Sequence, residues 1–314
     1  MRATHGAAGS GLAGGFLLAL GAVVLWGTQF PVAKSAFEVI DALHVTSIRY
    51  LLAIVLMIPL YVMREGRTAF DYYGQFWPAT LIGFVGMCGS PVLVFLGLAL
   101  SAPEHATVII ALQPSMTALA DWLVRGRRPA NFTLGCVVVA FAGVALAVTR
   151  GDANHLLDKG AMAGNLLVFS GAVCWVVYTM ASERFRGWSA LRLTTLTLIP
   201  GTLGILAITA IAVFLGRAQV PGAAEIASVG WHLAFLSFAG VFLGMIWWNA
   251  GTQRIGALNA MLLLNMIPVM TFAIRYLQGQ RFTAAELIGA LMVISALIAN
   301  NLYLRRARAR PHPA

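Results

Sequence analysis

Residues 135–148 read GCVVVAFAGVALAV, an uninterrupted apolar run without the alternation of apolar and polar positions that marks the strands of a membrane barrel. Comparable runs of roughly 17 to 25 residues, each long enough to cross a hydrocarbon core of about 30 Å, recur along the chain between short polar breaks. Because only helices and closed barrels satisfy their backbone hydrogen bonds in lipid, these runs indicate helices. The sequence therefore predicts an all-α polytopic membrane protein.

The composition agrees with a membrane protein. Hydrophobic residues make up 60% of the 314 positions and charged residues 10%, whereas soluble proteins carry about 25% charged residues. The net charge of +10 could suggest a nucleic-acid partner, but the basic residues lie between and beyond the apolar runs, where they orient membrane helices. We therefore predict the lipid bilayer as a partner and no nucleic acid. The first apolar run is too long for a signal peptide and lacks a small-x-small cleavage pattern, so it is predicted to be the first helix.

Ten spans are predicted from the lengths of the apolar runs. They lie near residues 12–33, 43–63, 76–100, 103–123, 132–149, 164–183, 191–215, 230–252, 255–277 and 284–304.

The basic residues orient these spans. With a cytoplasmic N-terminus, 14 basic residues fall in cytoplasmic segments, 6 fall in outer segments and Arg49 falls inside the second span, which accounts for all 21. The cytoplasmic set is Arg2, Arg64, Arg67, Arg125, Arg127, Arg128, Arg184, Arg186, Arg192, Arg254, Arg305, Arg306, Arg308 and Arg310. The outer set is Lys34, Arg150, Lys159, Arg217, Arg275 and Arg281. The positive-inside rule therefore predicts both termini in the cytoplasm and a location in the inner or plasma membrane.

The two halves of the chain resemble each other. Near the start of each half an offset of 149 aligns Trp26 with Trp175, and further along an offset of 154 produces an ordered series of matches. That series pairs Gly86 with Gly240, Ala106 with Ala260, Pro114 with Pro268, Arg127 with Arg281 and Gly135 with Gly289. We expect two five-helix repeats, at 12–149 and 164–304, between cytoplasmic tails at 1–11 and 305–314. Five is odd, so the second repeat would enter the membrane from the opposite side, as in the inverted repeats of transporters.

Several short patterns resemble one known family. They are Leu25-Trp26-Gly27-Thr28-Gln29-Phe30, Arg49-Tyr50, Ala99-Leu100, Ala111-Leu112-Gln113-Pro114, Thr117-Ala118-Leu119, Gly171 to Tyr178, Trp248-Asn249-Ala250-Gly251 and Ile255-Gly256-Ala257 through Pro268. Together they resemble the EamA-type repeat of the drug/metabolite transporter (DMT) superfamily, and most resemble the aromatic amino-acid exporters of the YddG kind. The resemblance implies ten helices and a cavity lined by helices 1, 3, 4, 6, 8 and 9. The chain departs from the family where an acid often follows glycine after helices 4 and 9, because Gly126-Arg127 and Gly279-Gln280 stand there.

Two helical stripes are candidate substrate-binding residues. Their members recur at i, i+3 and i+4, which places them on one face of a helix: Trp26, Gln29 and Phe30 in the first span, and Trp175, Tyr178 and Thr179 in the sixth. Polar side chains deep in lipid are costly unless they face protein or water, so both stripes should point into the bundle. Lining a substrate path and packing between helices are both open explanations.

Other candidates are the side-chain amides in or near spans and one further tryptophan: Gln113, Asn249, Asn259, Asn265 and Trp248. An uncharged amide both donates and accepts hydrogen bonds, which suits a zwitterionic or polar neutral ligand, although each amide could instead join two helices. Pro114 and Pro268 remove backbone hydrogen bonds at matched places, which either frees carbonyls for a cavity or only kinks the helix.

Charged and titratable residues yield weaker hypotheses. Arg49 lies inside the second span, and we interpret it as reaching back to the membrane interface, with anion binding as the alternative. Glu104 and His105 are interpreted as an outer-face turn at the start of the fourth span. The remaining histidines lack paired metal-ligand spacing, so no metal site is predicted. They are His5, His44, His155, His232 and His312.

Missing motifs narrow the function. The chain has no Gly-x-x-x-x-Gly-Lys loop for ATP, no Gly-x-Ser-x-Gly, no His-Glu-x-x-His and no pair of mid-membrane carboxylates, so neither a pump ATPase nor an enzyme is predicted. The leading hypothesis is a transporter that exports amino acids or related small metabolites by alternating access, as a uniporter or exchanger and without a cofactor. The export direction comes from the resemblance. The alternatives are a proton-coupled exporter of drugs or other metabolites and a non-transport membrane scaffold.

Overall fold

The first half of the chain forms five long helices. The structure is a computed structural model that describes residues 4–152 and 159–309. The helices are α1 (Thr4–Ala36), α2 (Ala42–Glu65), α3 (Phe76–Gly83, Phe84–Gly89 and Ser90–Leu100), α4 (Pro103–Ile110 and Gln113–Arg125) and α5 (Asn131–Thr149). One 3₁₀ turn, Gly66–Thr68, is the only other helical element in the described part of this half.

The second half repeats that arrangement. Its helices are α6 (Lys159–Ser182), α7 (Ala190–Phe214), α8 (Gly230–Phe235, Leu236–Leu243 and Gly244–Ile255), α9 (Ala257–Leu263 and Met266–Leu277) and α10 (Ala284–Ala309), with a short helix, Ala223–Ser228, before α8. All ten are long and apolar enough to cross a membrane, so the predicted fold class and ten spans are confirmed. α1 and α10 extend into the predicted tails, which are therefore partly helical. His155, His312 and the residues 1–3 and 310–314 lie outside the described residues.

Two pairs of matched helices depart from regular α-helix. α3 and α8 each contain a π segment, Phe84–Gly89 and Leu236–Leu243. α4 and α9 are each broken near the middle, after Ile110 and after Leu263. The prolines explain the breaks, because a proline ring clashes with the carbonyl four residues before it, and Pro114 and Pro268 stand four residues after Ile110 and Leu264. Pro114 and Pro268 thus interrupt their helices instead of bending them.

Helix packing follows the same correspondence between halves. α1 packs most closely on α8 and α9, and α6 packs in the same way on α3 and α4. α2 packs on α7, and α5 packs on α10. The helices that correspond between halves therefore have corresponding neighbours.

Glycines form two close seams at opposite ends of the bundle. In the α3–α6 seam, a Cβ added at Gly97 would overlap the carbonyl oxygen of Gly164. In the α1–α8 seam, a Cβ at Gly251 would lie 2.9 Å from the carbonyl oxygen of Gly15. The first seam joins the C-terminal end of α3 to the N-terminal end of α6, and the second joins the N-terminal end of α1 to the C-terminal end of α8. In both seams the glycines bring the backbone of one helix close to backbone and side-chain atoms of the other.

Candidate functional site

A cavity lies between the two seams. The empty space between its lining residues is about 570 Å³, a figure that includes the open space at its mouth. All six helices implied by the family resemblance contribute to it, and α2 contributes as well. The lining residues are Trp26, Gln29, Phe30, Arg49, Tyr50, Ser90, Pro91, Val94, Phe95, Ile110, Gln113, Trp175, Gly240, Val241, Met245, Leu264 and Ile267. The irregular parts of the helices border this space, since Ser90 directly follows the π segment of α3 and Gly240 lies in that of α8.

Three tryptophans from both halves pack together at one wall of the cavity. Trp26 and Trp175 line the cavity, and Trp248 packs against both of them from outside the lining. The Trp26 and Trp175 ring centroids are 5.3 Å apart in a T-shaped arrangement, and that of Trp248 is 5.2 Å from Trp26. Edge-to-face rings at this spacing stabilise each other beyond simple burial. Trp26 is fixed further by a 2.8 Å hydrogen bond from its Nε1 to the carbonyl oxygen of Gly240. The wall is therefore a rigid apolar surface that a flat or apolar ligand group can pack against.

A polar layer stands behind this wall. The Tyr178 ring lies 5.2 Å from that of Trp175, and Asn249 Nδ2 donates to the Tyr178 hydroxyl at 3.1 Å and to Thr194 Oγ1 at 2.7 Å. The Tyr178 ring sits directly on Gly86, where a Cβ would overlap it. Tyr178 and Asn249 thus support the wall from behind, and neither lines the cavity.

Arg49 is the one charged side chain that lines the cavity. It is only 4% exposed, so the interpretation that it reaches the membrane interface is wrong. The reason is its partners: Nη1 donates to Gln29 Oε1 at 3.0 Å, and the guanidinium lies 3.7 Å from the centre of the Phe95 ring. Those contacts hold the side chain inside the bundle. Its Nε has no hydrogen-bond partner among the described residues.

The predicted site residues fall into two groups. Five of them line the cavity: Trp26, Gln29, Phe30, Gln113 and Trp175. Gln113 is buried at the α4 break, where Nε2 donates to the carbonyl oxygen of Ala172 at 3.2 Å and Oε1 lacks a partner among the described residues. The other six lie behind or away from the lining: Tyr178, Thr179, Trp248, Asn249, Asn259 and Asn265. Asn259, in the first part of α9, donates to the carbonyl oxygen of Ile255 at the end of α8, 2.7 Å away.

A set of ion pairs closes one end of the bundle near α4. Arg275 lies 3.6 Å from Glu104, and Glu286 lies 3.0 Å from Arg150 and 3.4 Å from His105. Glu104 and His105 lie in the first turn of α4, where both are buried, with partners on α9 and α10, and their place on the outer face stays a prediction. These pairs join the two halves of the chain, and none of their members lines the cavity.

Sequence reasoning missed most of the apolar lining. Val94, Phe95, Ile110, Met245 and Leu264 carry no signal that separates a cavity wall from a packed core. Arg49 did carry a sequence signal for a place in the cavity, because a charged residue inside an apolar span faces protein or water more often than lipid.

The sequence model of the EamA-like transporter family matches twice, over residues 13–149 and 162–302. Two proteins of Bacillus subtilis (strain 168) are similar over most of their length. Uncharacterized transporter YrdR is 32% identical over 93% of this chain and 92% of its own, and uncharacterized transporter YyaM is 28% identical over 90% of this chain and 92% of its own.

A solved crystal structure has the same fold. The structural alignment covers 94% of this chain and 99% of the chain in that crystal structure, with a TM-score of 0.67 and 22% sequence identity. At that identity the likeness concerns the arrangement of the helices alone.

Proposed function

The chain belongs to the EamA-like transporter family, and we propose that it exports an amino acid or a related small metabolite by alternating access, as a uniporter or exchanger. The observation that carries this proposal is the cavity between the two seams. Its walls combine a tryptophan surface, two amides and one guanidinium, a set that suits a small molecule with an apolar part and polar ends. The resemblance to exporters of the YddG kind supplies the direction and the amino-acid class.

The matched packing of the halves supports alternating access. We propose that the two repeats are inverted, with one seam on each side of the membrane. The α3–α6 seam would separate to open the cavity to one face, and the α1–α8 seam to open it to the other. Glycines allow the paired helices of each seam to approach closely, and we propose that each pair separates there when its side of the cavity opens. The cavity would then face each side in turn.

The membrane and the orientation belong to the same proposal. We place the chain in the inner or plasma membrane with both termini cytoplasmic, because of the excess of basic residues on that side. The α3–α6 seam is then the outer one, and the α1–α8 seam is the cytoplasmic one.

The proposal is tested by counterflow in liposomes. Purified protein is reconstituted into liposomes loaded with one unlabelled amino acid, and the uptake of trace labelled amino acid is followed at equal pH on both sides. A panel of aromatic, aliphatic and polar amino acids should show accumulation for at least one member. Empty liposomes measure leakage.

Two other outcomes would contradict the proposal. Uptake of cationic drugs alone, dependent on a proton gradient, would favour the proton-coupled exporter. No uptake of any compound by folded, monodisperse protein would favour a membrane scaffold.

A further inference from the structure

We propose that Arg49 binds a carboxylate of the transported molecule, so that a molecule must carry a carboxylate to be a substrate of this chain, whether or not it also carries an amine. This inference rests on the proposed function, because it names the chemical class of ligand for the same cavity. Its basis is the position and surroundings of one buried guanidinium.

The first step is charge. Arg49 is 4% exposed, and no carboxylate of a described residue lies within ion-pair distance of it. A buried charge without a counter-ion is costly. The contacts with Phe95 and Tyr50, at 3.7 and 5.2 Å from the ring centres, offset part of that cost but carry no negative charge. The cavity therefore has a positive group that an anionic ligand would neutralise.

The second step is geometry. A guanidinium offers five N–H donors, and the described structure uses Nη1 to hold Gln29. Nε has no hydrogen-bond partner, and a carboxylate typically engages an arginine through two parallel hydrogen bonds from neighbouring nitrogens. Gln29 and Phe95 fix the plane of the group, so the remaining donors are oriented before a ligand arrives. Arg49 is thus arranged as a receptor for a planar anion.

The third step concerns the other end of the ligand. The Trp26 and Trp175 rings line the same cavity and present an apolar wall. The unpartnered Gln113 Oε1 is an acceptor that can receive an ammonium proton. A ligand with a carboxylate at Arg49 and an aromatic side chain at the tryptophans uses both features.

The test compares three molecules that share a phenyl ring: phenylalanine, 3-phenylpropionate, which lacks the amine, and phenethylamine, which lacks the carboxylate. Each competes with labelled phenylalanine in counterflow, and each is also added to purified protein to measure a ligand-induced rise in Tm. We expect phenylalanine and 3-phenylpropionate to compete and to raise Tm, and phenethylamine to do neither. Arg49→Gln should weaken the binding of both carboxylates about tenfold to a hundredfold, the loss expected for one or two hydrogen bonds to a charged group.

Two variants control for folding and for charge. Arg49→Lys keeps the positive charge but loses the paired donors, so it should bind 3-phenylpropionate more weakly than the unmodified chain and more tightly than Arg49→Gln. Arg192 is also buried, pairs with Glu65 at 2.9 Å and does not line the cavity. Arg192→Gln should therefore leave the order of the three ligands unchanged.

The outcomes separate this inference from the proposed function. Binding of 3-phenylpropionate that depends on Arg49, with no transport of any amino acid, would contradict amino-acid transport and support the inference. Transport of phenylalanine that folded Arg49→Gln retains, or equal competition by phenethylamine, would overturn the inference and leave transport standing. Absence of both transport and Tm shifts for all three ligands would overturn the inference and count against the proposed function.

Discussion

Trp26 and Gly240 are 214 residues apart in sequence, and the indole Nε1 of Trp26 donates a 2.8 Å hydrogen bond to the carbonyl oxygen of Gly240. The other half has a related contact, in which the Tyr178 ring of α6 packs on Gly86 of the α3 π segment. In both cases an aromatic side chain of one half meets a small residue in a π segment of the other. The tryptophan wall of the cavity is therefore built from both halves, and a movement of one half against the other must change it.

Trp175→Ala should lower the apparent affinity for a transported aromatic amino acid about tenfold or more, the equivalent of about 1.4 kcal/mol. The reason is the loss of the ring that packs against both Trp26 and Tyr178. Concentration dependence of counterflow measures the change. Trp231→Ala is the matched control, because Trp231 is 77% exposed and lies outside the cavity. Equal effects of the two variants would show that the tryptophan wall does not bind substrate.

A cysteine placed at Gly222 should react with membrane-impermeant reagents added outside intact cells, whereas one at Arg127 should be spared. The 14 to 6 distribution of basic residues places the loop at Arg127 in the cytoplasm and the loop before α8 outside. Both positions are exposed in the structure, so a difference in labelling reports sidedness. The three native cysteines, Cys88, Cys136 and Cys174, are replaced by alanine beforehand. Labelling of both sites from one side would refute the predicted topology.

Transport of a zwitterionic amino acid should persist with equal pH on both sides of the liposome. No acid or histidine is among the residues that line the cavity, so the described structure offers no titratable carboxylate or imidazole on the substrate path. His105 is buried 3.4 Å from Glu286 and lies outside the lining.

We therefore expect His105→Ala to retain counterflow at equal pH. Transport seen only under an imposed proton gradient, and lost in folded His105→Ala, would replace the uniporter or exchanger with a proton-coupled mechanism.

Gly164→Leu should destabilise the protein by about 1 to 3 kcal/mol, the usual cost of overpacking. A Cβ at this position lies 2.8 Å from the carbonyl oxygen of Gly97 and 2.9 Å from the Leu100 Cβ, so α3 and α6 would be pushed apart. Thermal unfolding in detergent measures the loss. Gly135→Leu is the control, because nothing lies within 4 Å of a Cβ there. An unchanged Tm for Gly164→Leu would mean that the seam is not closely packed.

Several features of the site could be predicted from the sequence because each has a local signature. The spacing of Trp26, Gln29 and Phe30 places them on one helix face. Because a polar side chain that faces lipid is costly in free energy, that face is expected to point into the helix bundle. The interpretation that Arg49 reaches back to the membrane interface had no such basis. Arg49 instead lies on Phe95 in the cavity.

The sequence by itself determined that this chain is a ten-helix membrane protein, because the length and apolarity of a span are properties of one continuous segment. It also placed Pro114 and Pro268 at matched positions, where each removes a backbone hydrogen bond, but it left open whether the helices bend or break there. Only the tertiary structure decided that Arg49 faces the cavity, that Asn249 stands behind the tryptophans, and that Glu286 is buried beside His105 and Arg150. Those outcomes depend on the rotation of each helix about its axis and on the residues opposite it, which are set by packing between segments far apart in the chain.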